Sequence, residues 1–184
     1  VFYQPRDIVS GDFYWYDQLD DNRFVVVCAD STGHGVPGAF MSMIGTTLIK
    51  DIIARKVDSP ASLLEMLDQE IMEALNQNIE AERSNDGMDI IVSEINMKTN
   101  LLRVSSAMRP MIIYRSGEQT YIRGSRSSVG GQYEKEDKVF ESFEYQLMKG
   151  DKIYMFSDGY PDQFGGPLGK KFKMVRVKNM LRDI

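Results

Sequence analysis

Three aspartates stand where buried strands should end. Asp30 closes the apolar run Phe24-Val25-Val26-Val27-Cys28-Ala29, and Asp158 closes Ile153-Tyr154-Met155-Phe156-Ser157, each then opening into a glycine-containing turn. Asp12 interrupts the aromatic segment Ser10-Gly11-Asp12-Phe13-Tyr14-Trp15. A carboxylate at the rim of a buried strand is costly unless it is paired, hydrogen-bonded or coordinated. Taken singly, Asp30 and Asp158 each read more readily as a turn aspartate accepting backbone N–H bonds. Gathered at one end of a sheet, such like charges repel and raise one another's pKa unless a cation intervenes. Oxygen-only ligation suits hard cations such as Mg2+ or Mn2+.

Other ligand chemistries are poorly supplied. Cys28 and His34 are the single cysteine and the single histidine, too few for a thiolate or imidazole site of the zinc or copper kind. Two hard cations bridged by a water can lower its pKa, orient it and stabilise charge on a phosphoryl group under in-line attack. Hydrolysis of a phosphate ester is therefore the natural use of such a cluster. His34 lies in a Gly-flanked loop just after Asp30 and reads either as a loop residue bonded to backbone or as a general acid for a leaving alkoxide. Gly33-His34-Gly35 would also suit a phosphate-cradling loop, but the full dinucleotide and Walker patterns are absent, which sets nucleotide binding aside.

A frame must carry these groups. At 184 residues and 21.0 kDa the chain suits one domain with a substantial core, and 42% hydrophobic with 27% charged residues is ordinary globular composition. No apolar run is read as approaching the roughly 20 residues that cross a bilayer, and Val1-Phe2-Tyr3-Gln4-Pro5 lacks a signal segment, so no membrane contact is expected. With one cysteine no internal disulfide can form, which suits a reducing cytoplasm, and Cys28 reads as a small core residue. A net charge of -5 and a pI near 5.0 disfavour nucleic acid as a partner. The basic stretch 170–182 has spaced apolar residues and reads as a solvated helix face.

The patterning predicts an antiparallel strand pair over 8–16 and 24–29, joined by the turn-forming Asp20-Asp21-Asn22. A helix follows the Gly-rich loop, with Phe40, Ile44, Leu48 and Ile52 as its apolar stripe and Pro37 in its first turn. Ser59-Pro60 starts a second helix, striped by Leu64, Leu67, Ile71, Leu75 and Ile79. Period-two segments then run over 88–97, 101–107, 111–115, 120–123, 143–148 and 152–157, ahead of a terminal helix. Strands, helices, strands and a helix in that order describe an α+β layered domain with antiparallel sheets.

Three blocks carry a resemblance: Val9-Ser10-Gly11-Asp12-Phe13-Tyr14-Trp15, Ala29-Asp30-Ser31-Thr32-Gly33-His34-Gly35-Val36-Pro37-Gly38-Ala39, and Phe156-Ser157-Asp158-Gly159-Tyr160-Pro161-Asp162-Gln163-Phe164-Gly165-Gly166. With the element order between them, nearly the whole chain resembles the metal-dependent protein phosphatase (PPM, protein phosphatase 2C-like) superfamily, in its bacterial SpoIIE/RsbU-type branch. The resemblance implies two antiparallel β-sheets packed as a sandwich with helices outside, and two Mn2+ or Mg2+ ions in a cleft at the sheet edges. By motif position Asp12 and Asp30 are metal ligands, Ser31 offers its backbone carbonyl, and Asp158 ligates the second metal. Asp86, Asp89 and Asp162 are weaker candidates for a further, loosely held cation, with turn or surface roles as the alternative.

Departures from the branch pattern carry expectations of their own. Where the branch often has an Asn or His in an Ala-Gly-Ala-Asn-x-Pro-like block, this chain has Ser106-Ala107-Met108-Arg109-Pro110, which implies that the polar contribution there is lost. The branch also ends on an aspartate pair in a last strand, whereas the sequence here closes on Arg182-Asp183-Ile184. Residues 1–184 are thus expected to be a catalytic domain cut before its final strand and taken from a longer multidomain protein, holding its second cation weakly. The implied activity is metal-dependent hydrolysis of phosphoserine or phosphothreonine on a regulatory protein, as the output domain of a bacterial signalling protein with an attached sensor domain and capable of homodimerising. Two rivals are a degenerate phosphatase acting as a phosphoprotein-binding or signal-relay module, and a metal-dependent nuclease or phosphodiesterase.

Overall fold

The computed structural model describes residues 1–77, 84–131 and 138–182. Its elements in order are β1 (Asp12–Gln18), β2 (Arg23–Ser31), α1 (Gly35–Ala54), α2 (Pro60–Ala74), β3 (Gly87–Asn96), β4 (Leu101–Ala107), β5 (Met111–Arg115), β6 (Glu118–Ile122), β7 (Val129–Gly130), β8 (Ser142–Gln146), β9 (Lys152–Met155), β10 (Phe164–Gly165), β11 (Lys170–Lys171) and α3 (Met174–Arg182). One sheet runs β1-β2-β3-β4-β8, with β7 added to β3; a second runs β6-β5-β9; β10 and β11 form a separate hairpin. Every ladder among these strands is antiparallel. This is the expected α+β sandwich.

Strand alternation divides the core into three layers. Val25, Val27, Ala29, Met88, Ile90 and Val92 turn one face of the first sheet to α1 and α2. The opposite face meets the second sheet through Ile91, Leu102, Val104, Met111, Ile113 and Ile122. The outer face of the second sheet packs Ile112 and Tyr114 against Val177 and Leu181 of α3. Each sheet is buried on both sides, which explains the nearly continuous apolar runs of β3 and β5.

The α1 stripe is the main correction. Its buried residues are Gly38, Met41, Gly45, Ile49 and Ile52, while Phe40 is 61% exposed. A strict four-residue row drifts around a helix of 3.6 residues per turn, and small residues let a backbone approach closely. A Cβ on Gly45 would lie 2.5 Å from the Met88 terminal methyl, so the glycine side decides which face meets the sheet. By length and composition α1, 20 residues with a mean hydropathy of 1.2, would also reach across a bilayer, which the expectation of no such run overlooked.

In α2, Leu64, Leu67 and Ile71 are buried as expected and Leu75 forms the C-cap; Ile79 lies outside the described residues. Ser59 caps α2 by accepting from the Ser62 N–H at 3.1 Å. Replacing it (Ser59→Ala) should cost about 1 kcal/mol, read as a lower urea midpoint with unchanged slope. The first strand begins at Asp12 rather than residue 8, because the chain before it bends to pack Gly11 backbone against the loop after β2.

Candidate metal centre

Register decides which carboxylates meet. In the first sheet Asp12 is paired with Asp30 and Asp30 with Asp89, so three aspartates line up across β1, β2 and β3 at one sheet end. Directly opposed residues share a face, and the alternation that sends Val27 and Ala29 to the helices sends Asp30 toward the second sheet. Asp158 arrives from that second sheet, just past β9. Beside it the Ser157 hydroxyl donates to Asp12 Oδ2 at 2.8 Å, tying the two sheet ends together.

Arg109 stands at the centre of this group. Its Nη2 lies 2.6 Å from Asp30 Oδ2, 2.9 Å from Asp89 Oδ2 and 3.0 Å from Asp158 Oδ2. The position expected to have lost a polar side chain is Met108; its neighbour Arg109, at the next position of the same block, supplies a cation. The turn carrying Arg109 is tightly fixed. Met108 adopts a left-handed φ of 67°, its N–H donates to the Ser125 carbonyl, and the Ser106 hydroxyl is shared between the carbonyls of Arg109 and Ile90. Gly124 closes against the turn, where a Cβ would lie 2.9 Å from both Met108 N and Arg109 O.

Electrostatics follow from this crowding. Burial, and then the negative charge of Asp12, push the Asp30 carboxyl up to about 8, with Arg109 working the other way. Burial opposes the Arg109 charge, but Asp30, Asp89 and Asp158 outweigh it and hold the guanidinium above its ordinary range. Burial and the same two aspartates, Asp12 and Asp30, push the Cys28 thiol up to about 12, so it stays neutral at physiological pH.

The other sequence candidates fall at different distances from the cluster. Ser31 ends β2 with its side chain buried, its N–H donating to the Gly11 carbonyl. Asp89 belongs with the cluster and also accepts from the Ser128 hydroxyl. Asp86 accepts from Thr32 Oγ1 at 3.0 Å, at the rim of the β2 and β3 ends. Asp162 pairs with Lys171 at 2.7 Å on the surface. His34 takes the N-cap position of α1 with its side chain 75% exposed and Nδ1 3.6 Å from Asp7 Oδ2. Asp183 lies outside the described residues.

The residues present fit a hard divalent cation. The donor set is all oxygen, it comes from both sheets, and a positive group already stands in at the point of convergence. Among the described residues no three carboxylates are drawn in to the spacing of a ready metal site; Asp30, Asp89 and Asp158 are spread around Arg109 instead. Sequence reasoning passed over that residue although a signal existed, since Arg109 is the lone charged residue in residues 104–114.

Comparison with known proteins bears on the family and the fold. The sequence family described as Stage II sporulation protein E (SpoIIE) matches residues 20–183. The phosphoserine phosphatase RsbP of Bacillus subtilis is 26% identical over 163 residues, covering 88% of this chain and 39% of that protein. The phosphoserine phosphatase RsbU of the same organism is 28% identical over 161 residues, covering 84% of this chain and 44% of that one. The chain thus spans about two-fifths of the length of these relatives. Among solved structures, the SiaA PP2C domain of Pseudomonas aeruginosa superposes with a TM-score of 0.87 at 29% identity, covering 99% of this chain and 69% of that one.

Proposed function

Since the chain belongs to the SpoIIE family, the SpoIIE/RsbU-type branch of the metal-dependent protein phosphatases, we propose that it hydrolyses phosphoserine or phosphothreonine on a regulatory protein. The observation that carries this reading is the convergence of Asp30, Asp89 and Asp158 from two sheets on one cationic point. Asp12, Asp30, the Ser31 carbonyl and Asp158 would hold two Mn2+ or Mg2+ ions, and Asp89, opposite Asp30 in register, would join them. Such ions supply an activated water and neutralise charge on the phosphoryl group. The chain's own part is positional: Ser157 orients the Asp12 carboxylate, and the fixed sheet ends keep the carboxylates together without reorganisation. The relatives named phosphoserine phosphatases support a phosphoserine substrate; the place in bacterial signalling, in the cytoplasm, with a sensor domain attached and a second copy as a partner, belongs to the proposal.

The test is release of phosphate from a phosphoserine peptide, with chelator and then Mn2+ added back. Activity that chelator abolishes and Mn2+ restores supports the reading; preference for bis-substituted esters would replace it with a phosphodiesterase. A protein that binds the phosphopeptide without turnover would be the signal-relay module.

His34 offers a separate check. A general acid is worth roughly 10² to 10⁴ in rate, and only where the leaving group is poor. Because the imidazole faces solvent and Asp7, His34→Ala should lose less than about tenfold on phosphoserine peptide. A loss of a hundredfold there, absent with p-nitrophenyl phosphate, would instead place His34 on the leaving oxygen.

A further inference from the structure

We propose that Arg109 is the resident counter-cation of the carboxylate cluster, and that a divalent cation loads the site only by displacing it. The proposal rests on the reading of the cluster as a cation site. Three carboxylate oxygens, from β2, β3 and the segment after β9, lie within 3.0 Å of one nitrogen, Arg109 Nη2. That nitrogen holds the point where the negative charge is greatest. A guanidinium and a hard cation cannot share it, since two positive charges a few ångström apart in a half-buried site repel strongly.

The way Arg109 is held suits a group that must leave. Its backbone is fixed by Ser106, Ser125 and Gly124, so the turn need not move. The contacts to the cluster run through Nη2, while Nε is buried with no hydrogen-bond partner among the described residues. The guanidinium is therefore held to the cluster at its tip, on a long side chain, 17% exposed, whose torsions have other staggered wells. Without a divalent ion, Arg109 offsets part of the repulsion among Asp12, Asp30, Asp89 and Asp158; with one, that work passes to the metal. The coupling between Arg109 and the metal is antagonistic, and by linkage each weakens the other's hold.

Calorimetric Mn2+ titration of the chelator-treated chain, its Arg109→Gln variant and its Arg109→Lys variant tests this, together with melting curves in EDTA. Arg109→Gln should bind Mn2+ about tenfold tighter, roughly 1.4 kcal/mol, and melt lower in EDTA, the melting difference disappearing at saturating Mn2+. Arg109→Lys, which keeps the charge, should lie between. A readout on the unaltered chain stands beside these: Mn2+ should speed phenylglyoxal labelling of Arg109, located by mass spectrometry. Equal or weaker Mn2+ binding by Arg109→Gln, or labelling that Mn2+ leaves unchanged or slows, overturns the proposal. If the unaltered chain and both variants all fail to bind Mn2+, the cation-site reading itself falls, and this inference with it.

Discussion

Asp30→Asn should abolish Mn2+-dependent hydrolysis, by about 10³-fold or more, while making the cation-free protein more stable at pH 8. Asp30 is central on both counts: it is paired in register with Asp12 on one side and Asp89 on the other, and it contacts Arg109 at 2.6 Å. Removing its charge takes away a ligand and leaves the shape intact, and losses of about 10² to 10³ follow even from removing one neutral donor at a catalytic centre. The stability gain comes from the proton. In the fold, burial and then Asp12 raise the Asp30 carboxyl to about 8, whereas in an unfolded chain it titrates near 3.9.

Between those values the folded state keeps a proton that the unfolded chain releases, so stability falls as pH rises through the window and the full loss is reached above about 8. Asparagine has no proton to lose. The melting temperature of the variant should exceed that of the parent by on the order of 5 °C at pH 8 in EDTA, and the gap should close below about pH 3, where both states of the parent are protonated. Because a ligand must be deprotonated to bind a metal, Mn2+ affinity of the parent should also rise with pH toward 8. Loss of hydrolysis without any gain in EDTA stability at pH 8 would show that Asp30 is not strained by its neighbours, and would remove the physical argument for a cation there.

How far the sequence reaches is visible in the same residues. Asp30 and Asp158 could be read because each closes an apolar run, and Asp12 because it interrupts an aromatic-rich strand segment, local signals that alternation and hydrophobicity carry directly. The strands over 101–107 and 111–115 were legible at their boundaries for the same reason. Asp89 was ranked with Asp86 and Asp162, since Asp86-Gly87-Met88-Asp89 reads as a turn; only the pairing of β2 with β3, a non-local property, sets it opposite Asp30. Arg109 was lost because it acts across some 79 residues of chain on Asp30 and 49 on Asp158. The α1 face was misread because glycines carry no hydrophobic signal, yet Gly38 and Gly45 mark the side that packs most closely.

That last point sets up the second large effect. Gly38→Ala should destabilise the fold by about 2 to 3 kcal/mol and weaken Mn2+ binding at least about tenfold, although Gly38 touches no carboxylate of the cluster. A Cβ at position 38 would lie 2.5 Å from the Gly33 carbonyl oxygen and 3.0 Å from Gly11 N, both backbone atoms that no rotamer change can relieve. A Cβ at Gly11 would in turn meet the Gly33 and Ser31 carbonyl oxygens at 2.8 and 2.9 Å. The first turn of α1, the chain before β1 and the loop after β2 are thus stacked backbone on backbone, and Asp30 and Ser31 take their positions from that stack. A methyl group wedged into it must push the loop away from β1, separating Asp12 from Asp30. Gly165→Ala is the matched control, because a Cβ there meets nothing within 4 Å and its φ lies outside the left-handed region. Urea denaturation and Mn2+ calorimetry on the two variants would separate the cases; if Gly38→Ala unfolds and binds Mn2+ like Gly165→Ala, the glycine-rich loop does not set the cluster, and its glycines need another explanation than close packing.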